Sequence, residues 1–141
     1  PLMISAPNMR RAGASSKELV EFLDLYPTLC DLAELPQPGH LEGISFAKLL
    51  DGTGNVRDAA CSEMNRRGRI GRSIRTADFR YTEWRGPKHG IVARELYDHR
   101  TDKTPGQLET KNVIDDPNLS AVEHQLSRRL NELLPHDVER R

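Results

Sequence analysis

The chain has 141 residues, 36% hydrophobic and 30% charged, and its 21 Lys and Arg balance its 21 Asp and Glu. That balance gives no global drive toward nucleic acid or an anionic membrane. No apolar run approaches the roughly 18 residues of a membrane-spanning helix, and two cysteines, Cys30 and Cys61, are too few for a disulfide framework.

Even with the 10 glycines added, the apolar share stays slightly under the about 45–50% usual in soluble domains. The length suits one domain or one large subdomain that leans on something else for burial. The sequence opens on Pro1 with no initiator Met and no signal peptide, as expected of a fragment or a processed product. Both cysteines sit in apolar local sequence and are expected to be buried free thiols.

In chain order, Leu2, Met3, Ile4 and Ser5 lie between Pro1 and Pro7 and read as a strand over 2–5, buried on both faces as in a parallel sheet. Such a strand needs neighbours that this chain does not offer. Residues 8–16 are loop. Residues 18–22 fit strand or helix; Ser15 with Glu18 would make a capping box, but Pro27 favours a short extended segment over 19–22 and a later start. With Asp24 as N-cap, Pro27 falls at the third helical position, where its missing N–H costs nothing. The helix over 25–34 then carries Leu25, Leu29, Leu32 and Ala33 on one stripe, and Pro36 to Gly39 end it. A short helix over 45–50 with Ser45 as cap and turn residues 51–55 follow.

A strand is expected over 59–64, then a Gly/Arg loop over 65–72. In an extended run, Ser73, Arg75, Ala77, Phe79, Tyr81 and Glu83 would share one side, and Ile74, Thr76, Asp78, Arg80, Thr82 and Trp84 the other. The small polar pair Ala77-Asp78 breaks that run into a hairpin of strands 73–76 and 79–84. A further strand over 94–98 pairs with it after a polar loop. Leu119, Val122, Leu126, Leu130 and Leu133 have helical spacing and predict a helix over 119–134, started by Asp116-Pro117 or by Ser120 with Glu123, and stopped by Pro135.

Several of these stretches resemble sulfatases in the same order. Pro1-Leu2-Met3-Ile4-Ser5-Ala6-Pro7 resembles their P-L-I-x-x-x-P strand. Phe22-Leu23-Asp24-Leu25-Tyr26-Pro27-Thr28-Leu29-Cys30-Asp31-Leu32-Ala33 is similar to V-D-L-x-P-T-L-x-x-L-A, and Leu41-Glu42-Gly43-Ile44-Ser45-Phe46 to L-x-G-x-S-L. Ser73-Ile74-Arg75-Thr76 with Phe79-Arg80-Tyr81-Thr82-Glu83-Trp84 resembles the hairpin of the iduronate-2-sulfatase-like branch. Glu95-Leu96-Tyr97-Asp98, Asp102 and Glu109-Thr110-Lys111-Asn112 resemble E-L-Y-D-x-x-x-D-P-x-E-x-x-N, here with six residues between Asp102 and Glu109 where the pattern has two, a short insertion in an exposed turn. The resemblance covers nearly the whole chain.

It implies the C-terminal part of an alkaline-phosphatase-like α/β fold: residues 1–58 end the main domain with one strand and helix, and 59–141 form a small antiparallel sheet packed by a C-terminal helix. It implies a sulfuric ester hydrolase acting on a sulfated sugar, with a formylglycine made from Cys or Ser in Cys/Ser-x-Pro-x-Arg and a divalent metal, usually Ca²⁺, held by oxygen ligands. A periplasmic, secreted or lysosomal location goes with it.

The chain itself shows neither group. Cys30 and Cys61 lack the following proline pattern, and Ser5-Ala6-Pro7-Asn8-Met9 has Met9 in place of arginine. The expected partner is therefore an N-terminal catalytic portion, and the chain alone is expected to be inactive toward aryl sulfate esters. No catalytic or metal residue is assigned. Asp115-Asp116 reads as a turn and Asp98-His99 with Asp102 as a solvated cluster. His40, His89, His99, His124 and His136 have no metal-ligand spacing and read as surface or turn residues.

Arg66, Arg67, Arg69, Arg72, Arg75 and Arg80 form a basic stretch with interspersed glycines. It is either the rim of a pocket holding an anionic sugar or a solvated face with arginines paired to Glu83 or Glu95. Nucleic-acid binding fits poorly, since no base-stacking array accompanies it. Trp84, with Arg85, Lys88 and His89, is a second rim candidate or a sheet-packing residue. The substrate-binding candidates are Arg66, Arg67 and Trp84. The alternative to a sulfatase portion is a stand-alone anion- or protein-binding module using the 66–75 loop. A loose segment at 2–5 would count against the sulfatase reading.

Overall fold

The computed structural model describes residues 2–7, 9–88, 90–100 and 109–135. Two compact units divide the chain, Pro1–Asp58 and Ala59–Arg141. Among the described residues no helix is long and apolar enough to cross a membrane.

In the first unit a 3-10 turn, Phe22–Asp24, runs directly into helix α1, Leu25–Leu32, and a single turn of helix, α2, Ala47–Leu50, follows. Asp24 holds these pieces together. It stands at the N-cap position of α1 but does not cap it. Its fully buried carboxylate instead accepts from Glu21 N (2.7 Å), Ile44 N (2.8 Å) and the Arg57 guanidinium, with Arg57 Nε at 3.1 Å. Arg57 also donates to Glu21 Oε2 at 2.8 Å. Thr28 Oγ1 donates to the Asp24 carbonyl (2.6 Å) and accepts from Phe46 N (3.0 Å). Gly43 completes the arrangement: a Cβ there would lie 2.0 Å from the Leu23 carbonyl oxygen, so no other residue fits.

The strand expected over 2–5 is not formed, and no strand occurs among the described residues of this unit. Apolar alternation makes a segment suitable for a sheet, but a strand exists only when its N–H and C=O groups meet a neighbour. Helix α1 ends at Leu32, and Glu34 takes a left-handed φ of 55°.

The second unit is a four-stranded antiparallel meander, β1 Ala59–Arg66, β2 Arg69–Thr76, β3 Phe79–Arg85 and β4 Ile91–Asp98, in that spatial order. Helix α3, Ser120–Leu133, packs on one face, its entry set by a 3-10 turn at Pro117–Leu119 whose Asp116 side chain accepts from Asn118 N. Ala59, Ile74, Phe79, Tyr81, Leu96, Leu126 and Leu130 form the core. Asn112 Oδ1 accepts from Leu96 N and Ile114 N, and Val113 N donates to Leu96 O, so this segment covers the free edge of β4.

Residues 65–72 are not a loop. The ladder continues through Asn65 opposite Ile70 and Arg66 opposite Arg69, and only Arg67-Gly68 turn. Both turn residues have positive φ, 53° and 73°, the mirror-image geometry that matches strand twist in two-residue hairpins. The turn at Ala77-Asp78 also swaps the alternation: Ile74 lies opposite Tyr81 and shares its face.

Candidate functional site

Pairing divides the basic stretch among three environments. On the face covered by α3, the register aligns Glu63, Arg72, Glu83 and Arg94 in one row across four strands. Arg72 and Glu83 are fully buried. Arg72 donates to Asn131 Oδ1 (2.9 Å) and the Leu130 carbonyl (3.3 Å). Glu83 accepts from Ser127 Oγ (2.7 Å), Arg85 Nη2 (2.9 Å) and Tyr81 OH (3.2 Å). Burial and the nearby Arg85 charge hold the Arg72 guanidinium below its ordinary value, against the pull of Glu83. Arg72 is thus committed to the interior and does not belong to a solvated basic face.

Arg75 and Arg80 lie opposite each other near the Ala77-Asp78 turn, at the other end of the sheet from Arg66. Arg80 pairs with Glu109, which also meets His99 Nε2 at 3.2 Å. The His99 side chain is 4% exposed, so it is an interior residue and not the surface group its sequence context suggests. Asp98 is bound by Arg100, whose guanidinium holds the carboxyl below its usual range and lies 4.7 Å from the centre of the Phe79 ring. Asp102, His89 and His136 lie outside the described residues.

That leaves Arg66, Arg67 and Arg69 at the β1–β2 tip. All three are exposed, and none of the ion pairs among the described residues involves them. Arg66 and Arg69 sit on the face away from α3. The next row on that face is Met64, Gly71, Trp84 and Ala93, and the one beyond is Ser62, Ser73, Thr82 and Glu95. Trp84 is half-buried. Its six-membered ring lies over Gly71, where an added Cβ would come within 2.7–3.0 Å of three ring carbons. The indole N–H donates to Glu95 Oε1 (2.9 Å), and Tyr97 OH donates to Glu95 Oε2 (3.1 Å). Burial, then the Glu95 charge, raises the Tyr97 phenol above its ordinary value. The fold therefore brings Arg66, Arg67 and Trp84 to one end of the sheet, with Arg66 and Trp84 on one face and the indole fixed by a carboxylate. Lys88 is exposed in the β3–β4 loop, which Gly86 N and Gly90 O close at that same end.

Elsewhere, a cleft of about 800 Å³ in the first unit is lined by apolar and polar groups in near-equal measure, Ile4, Phe46 and Leu50 beside Arg11, Ser16 and Glu18, and holds none of these residues. Among the described residues no group of three or more His, Cys, Asp or Glu is placed to hold a metal. The hub of buried Asp24 and Thr28 with partly buried Arg57 was invisible to periodicity.

Residues 1–136 match the family described as N-sulphoglucosamine sulphohydrolase, C-terminal. A delta 4,5-hexuronate-2-O-sulfatase of Bacteroides thetaiotaomicron is 31% identical over 130 residues, which cover 86% of this chain and 25% of that protein. A solved structure of a putative sulfatase from B. thetaiotaomicron VPI-5482 superposes with a TM-score of 0.62 at 32% identity, over 77% of this chain and 23% of the other. That of a 2-O GAG sulfatase does so with 0.62 at 33%, over 78% and 23%. The chain spans about a quarter of the length of the relatives it matches.

Proposed function

The chain belongs to the N-sulphoglucosamine sulphohydrolase C-terminal family, and from that membership we propose that it is the C-terminal portion of a sulfatase hydrolysing sulfate esters of a sulfated sugar. In this reading residues 1–58 finish the main α/β domain and 59–141 add one wall of the substrate pocket. The nucleophilic formylglycine and the Ca²⁺ that polarises the sulfate belong to the preceding, N-terminal portion. The residues of this chain fit neither group: neither cysteine has the modification pattern, and among the described residues no three or more His, Cys, Asp or Glu are placed to hold a metal. By itself the chain turns over no aryl sulfate.

The observation that carries the proposal is the arginine tip, without an ion pair among the described residues, one row from a clamped indole. Guanidinium groups in a rigid fork suit sulfate and carboxylate oxygens. An indole suits the apolar face of a sugar ring. Arg66 and Arg67 would hold the anionic groups of the sugar, and Trp84 its ring.

The test uses the whole protein with a sulfated uronate disaccharide and a small aryl sulfate. Replacing Arg66 and Arg67 by Ala, or Trp84 by Ala, is expected to raise KM for the disaccharide by roughly tenfold or more, with kcat and aryl sulfate turnover little changed. An unchanged KM would remove these residues from the pocket. The closed core of the second unit supports a second reading, a stand-alone anion- or protein-binding module at the same tip. That reading requires the 141-residue chain alone to bind the disaccharide as tightly as the whole protein does.

A further inference from the structure

Helix α1 departs from an ordinary surface helix, which keeps its apolar residues on the buried face and shows only a polar face to water. Here the buried face mixes the polar Asp24 and Thr28 with Pro27 and Cys30, while Phe22 (90% exposed), Tyr26 (55%) and Leu29 (61%) look outward at helical spacings of four and three. Leu32 and Leu35 extend the exposed apolar surface. A free helix would roll to bury such a stripe. This one is pinned by the bonds of Asp24 to Ile44 N and Arg57, and of Thr28 to Phe46 N. A contiguous apolar stripe held outward by a buried polar latch marks a contact surface.

We propose that Phe22, Tyr26 and Leu29 form a docking surface for an uncharged, aliphatic face of the polypeptide that precedes this chain in the whole sulfatase. The inference rests on the reading given under Proposed function. The occupant follows from three observations. The matched relatives are about four times longer than the match, and the family is the C-terminal one, so a large preceding portion is there to be met. The stripe carries no charge, so an apolar partner strands no ion, and the Tyr26 hydroxyl is the one group that must stay at the rim or find an acceptor. Leu2 and Met3, exposed in the same unit, lack the ladder their pattern calls for, so the same unit offers a second unpartnered apolar element. A second copy of this chain is a weaker fit. One three-residue stripe per copy buries far less than the roughly 1,000 Å² a stable interface needs, whereas a covalently joined portion docks at high effective concentration.

The test places a thiol on the stripe. Leu29→Cys keeps a small apolar group at an exposed position, and its reaction with a bulky maleimide is compared with that of the unsubstituted protein, which reports Cys30 and Cys61. Labelling of position 29 is expected to be at least about a hundredfold slower in the native whole protein than in the 141-residue chain. Equal rates overturn the docking surface, and a whole protein that is still an active sulfatase then leaves the functional reading standing. A protected position 29 in a protein that cleaves no sulfate ester does the reverse. Protection in the 141-residue chain itself, rising with concentration and accompanied by a dimer on size-exclusion chromatography, assigns the stripe to self-association and overturns the proposal. As a second measurement, Leu29→Glu is expected to lower the melting temperature of the whole protein while leaving that of the 141-residue chain unchanged. No change in either sinks the proposal.

Discussion

The Glu83 carboxylate and the Ser127 hydroxyl meet at 2.7 Å, joining β3 to α3 inside the second unit. Glu83 is fully buried and also accepts from Arg85 and Tyr81. Removing it strands three donors and takes from the buried Arg72 the stronger of its two carboxylate influences, leaving Glu63. Glu83→Ala is expected to cost roughly 3–5 kcal/mol in urea unfolding, in the range for breaking a buried ion pair by one partner. Ser127→Ala leaves Glu83 two donors and should cost about 1.5 kcal/mol. Equal, small losses for both would show that the row is not a stabilising network.

Tyr81 gives this interior a pH signature. Burial first, and the neighbouring Glu83 charge, push its phenol up from 10.0 to about 12, against the opposing hydrogen bond with Ser127. A raised folded value favours the protonated form, so this contribution is complete below pH 10 and is lost as pH rises through about 12. Over that window stability should fall by up to about 1.4 kcal/mol per pH unit. Urea midpoints measured across it check the slope. Tyr81→Phe should abolish this component and remove the part of a spectrophotometric tyrosinate titration centred near pH 12, leaving the raised Tyr97.

In the first unit, Asp24→Ala should be as severe as the loss of Glu83. It leaves Arg57 with Glu21 alone and strands the Glu21 and Ile44 amides. Roughly 3–5 kcal/mol is expected, read as loss of amide-exchange protection at Ile44 and across α1. Thr28→Val removes only the bonds to the Asp24 carbonyl and to Phe46 N, and should cost about 1–2 kcal/mol. A mild Asp24 variant would mean that the helix is held by its apolar contacts.

How much of this was legible depended on whether the determining contact was local. The spacing of Val122, Leu126 and Leu130 placed α3 and its buried face because a helix repeats within four residues. The turn at Ala77-Asp78 was visible for the same reason. Leu133 has the right spacing yet is 52% exposed, since it lies at the end of α3. Residues 2–5 carried a strand pattern with no strand to pair with, and family membership rests instead on the match over the whole chain. Arg72 looked like a surface charge because its partners are 58 and 59 residues away on α3. The end of the sheet that gathers Arg66, Arg67 and Trp84 was hidden by a turn built on an arginine, a residue that gives no hairpin signal.

That arginine allows the sharpest test of the proposed site. Arg67 has φ 53° ahead of Gly68 at 73°, in a two-residue turn whose favoured sequence is Asn-Gly. A non-glycine residue held left-handed costs on the order of 1 kcal/mol, and Arg67 is exposed and packs nothing that would offset it. Arg67→Asn should therefore stabilise the second unit by about 0.5–1 kcal/mol while removing one guanidinium from the tip. If the tip holds an anionic sugar, the same variant should weaken disaccharide binding by roughly five- to tenfold in the whole protein, with Arg67→Lys intermediate because charge is kept and the bidentate fork is lost. Stability and affinity then move in opposite directions from one substitution. A more stable variant with unchanged affinity would leave the left-handed arginine without a binding role and move the pocket wall away from this hairpin.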